Sequence, residues 1–178
     1  MALRLNRRAL LRGAGAATLS VPFIGTSRAA GYPDRTVRII VPFAPGGPSD
    51  ITARLMSVKL QEALGQTFIV ENRAGAGSNL GTSAVARATP DGYTLLVVSS
   101  AFVVNPSLYK NVPYDAFKDF APVCELDTSP NVFVATPASG ITSIRQMIER
   151  ARARPDDLVY ASAGVGTTPH LAAELLKI

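Results

Sequence analysis

The chain has 178 residues, with 18 Lys and Arg against 13 Asp and Glu, and only one cysteine and one histidine. A single cysteine excludes an intrachain disulfide, and one cysteine with one histidine excludes an ordinary zinc site. Five arginines and no acid lie in the first 28 residues, so from Ala30 onward 13 basic residues face 13 acidic ones; a nucleic-acid partner, which needs concentrated positive charge, has no support.

Arg4, Arg7, Arg8 and Arg12 open the chain, residues 14–24 are apolar, and Ser27-Arg28-Ala29 sets small residues at the −3 and −1 positions of a signal-peptidase site. The apolar run falls short of the about 20 residues that span a bilayer. Residues 1–29 therefore read as a cleaved export signal and the protein as periplasmic, cut near Ala29/Ala30. Asn6-Arg7-Arg8-Ala9-Leu10-Leu11-Arg12 resembles a twin-arginine signal, and the general secretory route stays open beside it.

Val37 to Val41 is short, β-branched and stopped by Pro42, which predicts a strand. A Gly/Pro loop over 43–48 follows. Ser49 or Asp50 is then expected to cap a helix whose apolar face carries Ile51, Leu55, Met56, Leu60, Ala63 and Leu64, with Gly65 as its stop. Phe68 to Glu71 is the second strand. Residues 73–78 form a second glycine loop before a small-residue helix from about Asn79 to Ala88. After the turn Pro90-Asp91-Gly92, Tyr93 to Val98 is the third strand. Near-continuous apolar strands alternating with helices predict an α/β fold with a parallel sheet covered on both faces.

Residues 99–119, broken by Pro106 and Pro113, read as irregular. Ala121 to Leu126 and Val132 to Ala135 read as strands flanking a polar crossover, with Cys124 expected as a small buried strand residue. Ser143 and Gln146 have the spacing of a capping box for a helix bearing Ile144, Met147, Ile148 and Ala151. Leu158 to Ser162 is a further strand, and a third glycine loop leads to Pro169 at the start of a last helix. That helix runs to Ile178 without a C-cap, and the strands after the crossover lack a full set of partners; the segment from Ala30 is therefore expected to be marginally stable.

The chemistry lies in a repeated geometry. Three strands each run into a glycine loop and a helix: Pro45-Gly46-Gly47, Gly75-Ala76-Gly77 and Gly164-Val165-Gly166. Parallel strands deliver such loops to one sheet edge, where helix N-termini present unpaired N–H groups and the positive dipole end. Glycine lets the backbone approach a ligand closely. The predicted site for a small anion comprises Pro45, Gly46, Gly47, Ser49 and Asp50; Gly75, Ala76, Gly77 and Ser78; Ser99; and Ala163, Gly164, Val165, Gly166, Thr167 and His170. Asp50 is expected to cap and fix its loop, and His170 to sit behind the third. For any one loop, plain turn chemistry is the commoner reading, and it is the repetition of three that brings the functional reading level with it. The dinucleotide fingerprint fails by one position at Gly81, and there is no Gly-Lys-Ser/Thr and no nucleophile elbow. An enzyme on this scaffold is thus disfavoured, and no cofactor or metal is called for.

Tyr32-Pro33-Asp34-Arg35 through Pro45-Gly46-Gly47-Pro48-Ser49-Asp50 closely resembles the mature start of Bug-type proteins, the substrate-binding proteins of tripartite tricarboxylate transporters. Val70-Glu71-Asn72-Arg73-Ala74-Gly75-Ala76-Gly77, Pro90-Asp91-Gly92-Tyr93-Thr94-Leu95 and Tyr160 through Leu175 match further signatures in the same order. The resemblance implies a fold like that of type II periplasmic binding proteins: two lobes with largely parallel sheets, the first over residues 30–128, the second starting at 129–178 and truncated. It also implies capture of a small carboxylate, delivery to a membrane permease of the tripartite tricarboxylate type, no cofactor, and a monomer at full length. Alternatives are a sensor for a membrane signalling partner and an inactive truncated fragment.

Overall fold

The computed structural model describes residues 31–177. The export-signal reading of 1–29 lies outside the described residues. Strands β1 (Val37–Val41), β2 (Phe68–Asn72) and β3 (Thr94–Leu96) form a parallel sheet in the order β2-β1-β3. Val37 aligns with Phe68 and Val41 with Asn72 on one side of β1; Ile40 aligns with Leu96 on the other. The central strand is VRIIV, and only Arg38 of it is exposed. Alternation puts Val37, Ile39 and Val41 on one face and Ile40 on the other, so a strand buried on both faces needs the continuous apolar run that the sequence supplies. Each such side chain contributes about 1.5–3 kcal/mol on burial.

Helix α1 (Pro48–Leu64) crosses from β1 to β2 and adds Ala53 to the cluster of Val37, Ile39, Val41 and Phe68, with Leu60 packed against it. It ends where Gly65 takes a left-handed conformation, φ 69°, as its glycine predicted. The inward stripe differs from the expected one. It runs through Asp50, Ala53, Met56 and Leu60, while Ile51, Leu55 and Leu64 are exposed. Asp50 claims the first inward position with a polar network, and this rotates the helix by about one residue, roughly 100°. The expected cap also moves. Gly47 holds the N-cap position, Pro48 follows at the first helical position, and neither Ser49 nor Asp50 caps.

Helix α2 (Asn79–Ala86) lies against β1 and β3. A side chain at Gly81 would come within 2.7 Å of the Arg73 carbonyl and 2.8 Å of the Pro42 ring, so glycine sets this close approach.

Residues 101–108 form a helix, α3 (Ala101–Leu108), where the sequence read as irregular. Pro106 sits inside it and has no N–H to give the Phe102 carbonyl one turn back. The Tyr114 hydroxyl donates to that carbonyl instead, at 3.0 Å, and its ring stacks on Phe102 at 5.6 Å. Phe120 packs edge-on against both rings. A distant side chain thus repairs the gap that the proline opens.

The expected strands over 121–126, 132–135 and 158–162 do not form. These stretches run without regular structure, because no further strand lies beside them among the described residues. Val123, Val134 and Val159 are 85%, 89% and 94% exposed, and Cys124 is exposed rather than buried. Helix α4 (Ile144–Ala153) has its predicted cap: the Gln146 N–H donates to Ser143 Oγ at 3.2 Å. The reciprocal arm is displaced, since Gln146 Oε1 accepts from the Thr142 N–H at 2.8 Å. Helix α5 (Thr168–Leu175) follows the third glycine loop.

Candidate functional site

The first two loops leave β1 and β2 at the same sheet edge because the strands are parallel and in register. In the first, Gly46 has φ 82° and Gly47 is extended, with φ −78°. Asp50, 3% exposed, reaches back under this loop. Its Oδ2 accepts from the Gly46 N–H and from Arg54 Nε, each at 2.9 Å, and its Oδ1 accepts from Asn72 Nδ2 at 2.8 Å. The Arg54 side chain, then the Gly46 N–H, hold the Asp50 carboxyl down at about 2. Both oxygens are engaged inside the protein, so Asp50 fixes the loop, as expected of it, though from the third helical position rather than the cap.

Asn72 joins the first loop to the second. Its Nδ2 also donates to the Phe43 carbonyl at 3.2 Å, and its Oδ1 accepts from Arg54 Nη2 at 3.0 Å. The second loop then has four successive residues with positive φ: Gly75 (140°), Ala76 (48°), Gly77 (62°) and Ser78 (81°). For Ala76 and Ser78 this backbone costs about 1–3 kcal/mol each, so the surroundings must hold it. A side chain on Gly77 would fall on the Tyr109 hydroxyl. Ser78 and Asn79 are buried.

Asn105, fully buried in α3, holds this loop from below. Its Nδ2 lies 2.6 Å from the Gly77 carbonyl, 2.9 Å from Asn79 Oδ1 and 3.3 Å from Ser78 Oγ. Its other face meets the third loop. A side chain on Gly166, φ 81°, would come within 2.7 Å of Asn105 Oδ1 and 3.5 Å of Ala101 and Leu108. Within that loop, Thr167 is buried and its Oγ1 donates to the Gly164 carbonyl at 2.6 Å. His170 Nδ1 accepts a long contact, 3.5 Å, from the Gly166 N–H, which puts His170 behind the loop.

The structure therefore brings the three loops together: Asn72 hydrogen-bonds the first to the second, and Asn105, bonded to the second, packs against Gly166 of the third. Pro45, Gly46, Gly75, Ala76, Ala163 and Val165 are exposed on the loops; Gly47, Ser49 and Gly164 are half-buried. Ser99 lies at the start of α3, where its Oγ accepts from the Ala101 N–H at 3.4 Å. Sequence reasoning missed Arg54, Asn72, Asn105 and Tyr109. Asn72 stands directly before the second loop, which is a signal by position. Asn105 precedes Pro106 in a stretch that gave no sign of helix.

Two of the three glycine loops follow parallel strands and all three precede helices, and a solved periplasmic binding protein that is 36% identical shares this fold, with a TM-score of 0.66. A family model described as the tripartite tricarboxylate transporter family receptor, TctC, matches residues 52–178, and the chain belongs to that family. A curated relative from Pseudomonas sp. (strain P51) is 40% identical over 172 residues, which are 97% of this chain and 51% of the relative. An R. palustris protein solved with adipate is 37% identical over 82% of this chain and 49% of its own, with a TM-score of 0.79. MatC from Rhodopseudomonas palustris, solved with bound malate, is 35% identical over 83% of this chain and 52% of its own, with a TM-score of 0.74. The chain spans about half the length of the curated relatives it matches.

Proposed function

We propose that the protein captures a small carboxylate outside the cytoplasm and delivers it to a membrane permease of the tripartite tricarboxylate type. The observation that carries this reading is three neighbouring glycine loops, two of them at one sheet edge and the third packed against Asn105 beside the second. Backbone N–H groups at helix N-termini favour a carboxylate by hydrogen bonding and by the helix dipole, without a cationic side chain. The nearest guanidiniums are already spent: Arg54 pairs with Asp50, and Arg73 pairs with Glu71 at 2.7 Å. The ligand-facing set is Pro45, Gly46, Gly47 and Ser49, Gly75 to Ser78, Ser99, and Ala163 to Thr167, with Asp50 and His170 supporting it. Adipate and malate, bound by the two relatives, are the first solutes to try. The site binds and releases its solute without bond-making chemistry.

Thermal-shift titration of the full-length protein with a dicarboxylate series tests the proposal, because a solute that binds only the native state raises the melting temperature with concentration. A saturable rise with at least one dicarboxylate, absent with its methyl esters, is expected. No shift with any mono-, di- or tricarboxylate sinks the reading.

A further inference from the structure

We propose, resting on the reading above, that Asn105 is the positioning residue that sets the second and third glycine loops as one cradle. Three observations converge on it. First, the second loop holds positive φ over four residues, two of them the non-glycines Ala76 and Ser78, and the Asn105 amide nitrogen grips its underside, at the Gly77 carbonyl and at Asn79. Second, the amide plane is rigid, so fixing Nδ2 on the second loop fixes where Oδ1 points, and Gly166 of the third loop packs against that oxygen. Third, Oδ1 is buried without a hydrogen-bond partner. A buried acceptor left unpaired is costly, and an asparagine would turn to relieve it if turning did not surrender the Gly77 contact. The side chain is thus held by the loops it joins. A leucine of similar volume would fill the space, but it lacks the donor pair that dictates the loop's shape and leaves the Gly77 carbonyl and Asn79 Oδ1 without that donor. Asn105 itself is buried and acts through the N–H groups of the two loops.

The test compares full-length wild type with Asn105→Leu and Asn105→Ser, using malate and adipate as probes, at a temperature well below every variant's melt. Affinity is expected to fall roughly tenfold or more, the equivalent of about 1.4 kcal/mol of lost preorganisation, with a cooperative melt retained. Backbone amide resonances of Gly77 and Gly166 are expected to shift together in both ligand-free variants, which a role confined to packing under α3 does not produce. Unchanged affinity in a folded variant, or a shift at Gly77 with Gly166 unmoved, overturns the proposal. If both variants fail to fold, hydrogen exchange on wild type decides: malate must protect the amides of Gly77 and Gly166 in parallel, and protection of one loop alone overturns it. If wild type binds neither probe but the two loops still shift together, the loop coupling stands and the carboxylate reading falls.

Discussion

At the scale of single residues, the glycines of the site are not equivalent. Gly166 combines φ 81° with a neighbour, Asn105 Oδ1, only 2.7 Å from where a side chain would begin. Gly47 has φ −78° and only the Ala44 carbonyl nearby, at 3.6 Å, so any residue fits there. Gly166→Val is therefore expected to lower the melting temperature, since the strained φ alone costs about 1–3 kcal/mol. Gly47→Val is expected to leave the melt within a few degrees while blocking the solute, as a bulky side chain at this N-cap points from the loop. Differential scanning calorimetry with malate titration separates the two; equal stability losses would refute the distinction. Asp50 gives a pH prediction. Its folded pKa of about 2 lies below the ordinary 3.8, so the fold favours the charged form. The stabilisation is present above about pH 4 and is lost as pH falls toward 2. Asp50→Asn is expected to remove this part of the acid limb: the melting-temperature gap between wild type and variant should narrow from pH 5 to pH 2. A gap constant across that range counts against the network.

At the scale of elements, α3 and α4 show two ways of satisfying a helix. In α4 the answer is local. Ser143 caps the first turn, and Ser143→Ala is expected to cost about 1 kcal/mol. In α3 the answer is distant, because Tyr114 supplies the donor that Pro106 withholds from Phe102. Tyr114→Phe keeps the stacked ring and removes only the hydroxyl, leaving a carbonyl unpaired at a cost of about 1 kcal/mol. Chemical denaturation of the full-length variant checks the value. A loss confined to α3 and the second and third loops in hydrogen exchange would show that the repair supports the site.

At the scale of the whole molecule, the described residues divide into a well-packed sheet unit and exposed extended chain. Val123, Val132, Val134 and Val159 carry unpartnered apolar surface next to backbone that forms no ladder. Such edges template association with other chains. The isolated segment 30–178 is expected to self-associate, and Val134→Lys to reduce this in size-exclusion chromatography without changing the helical signal in circular dichroism. A monomeric, cooperatively melting segment without the substitution would contradict this. Export is checked by mass spectrometry of the periplasmic fraction. An N-terminus at Ala30, within a residue or two, is expected, and intact Met1 there would refute cleavage.

The sequence by itself determined β1, β2, their parallel pairing through α1, the glycine stop at Gly65, the Ser143 cap and the family, because each depends on residues close in the chain or on motifs. Three glycine loops and a supporting Asp50 were legible in the same way. Only the tertiary structure decided which face of α1 turns inward, since Asp50 draws that face toward Asn72 and Arg54 from a different strand and a later turn. Tertiary contacts also made α3, where the donor that offsets Pro106 comes from Tyr114, eight residues further along. The expected strands failed for the converse reason: the largely apolar runs at 121–126, 132–135 and 158–162 can take an extended form, but a strand exists only when a neighbour completes its hydrogen bonds. The link between the second and third loops was invisible for a related reason. Asn105 carries no motif, and its role arises from its burial between Gly77 and Gly166, residues 28 positions before it and 61 after it in the chain.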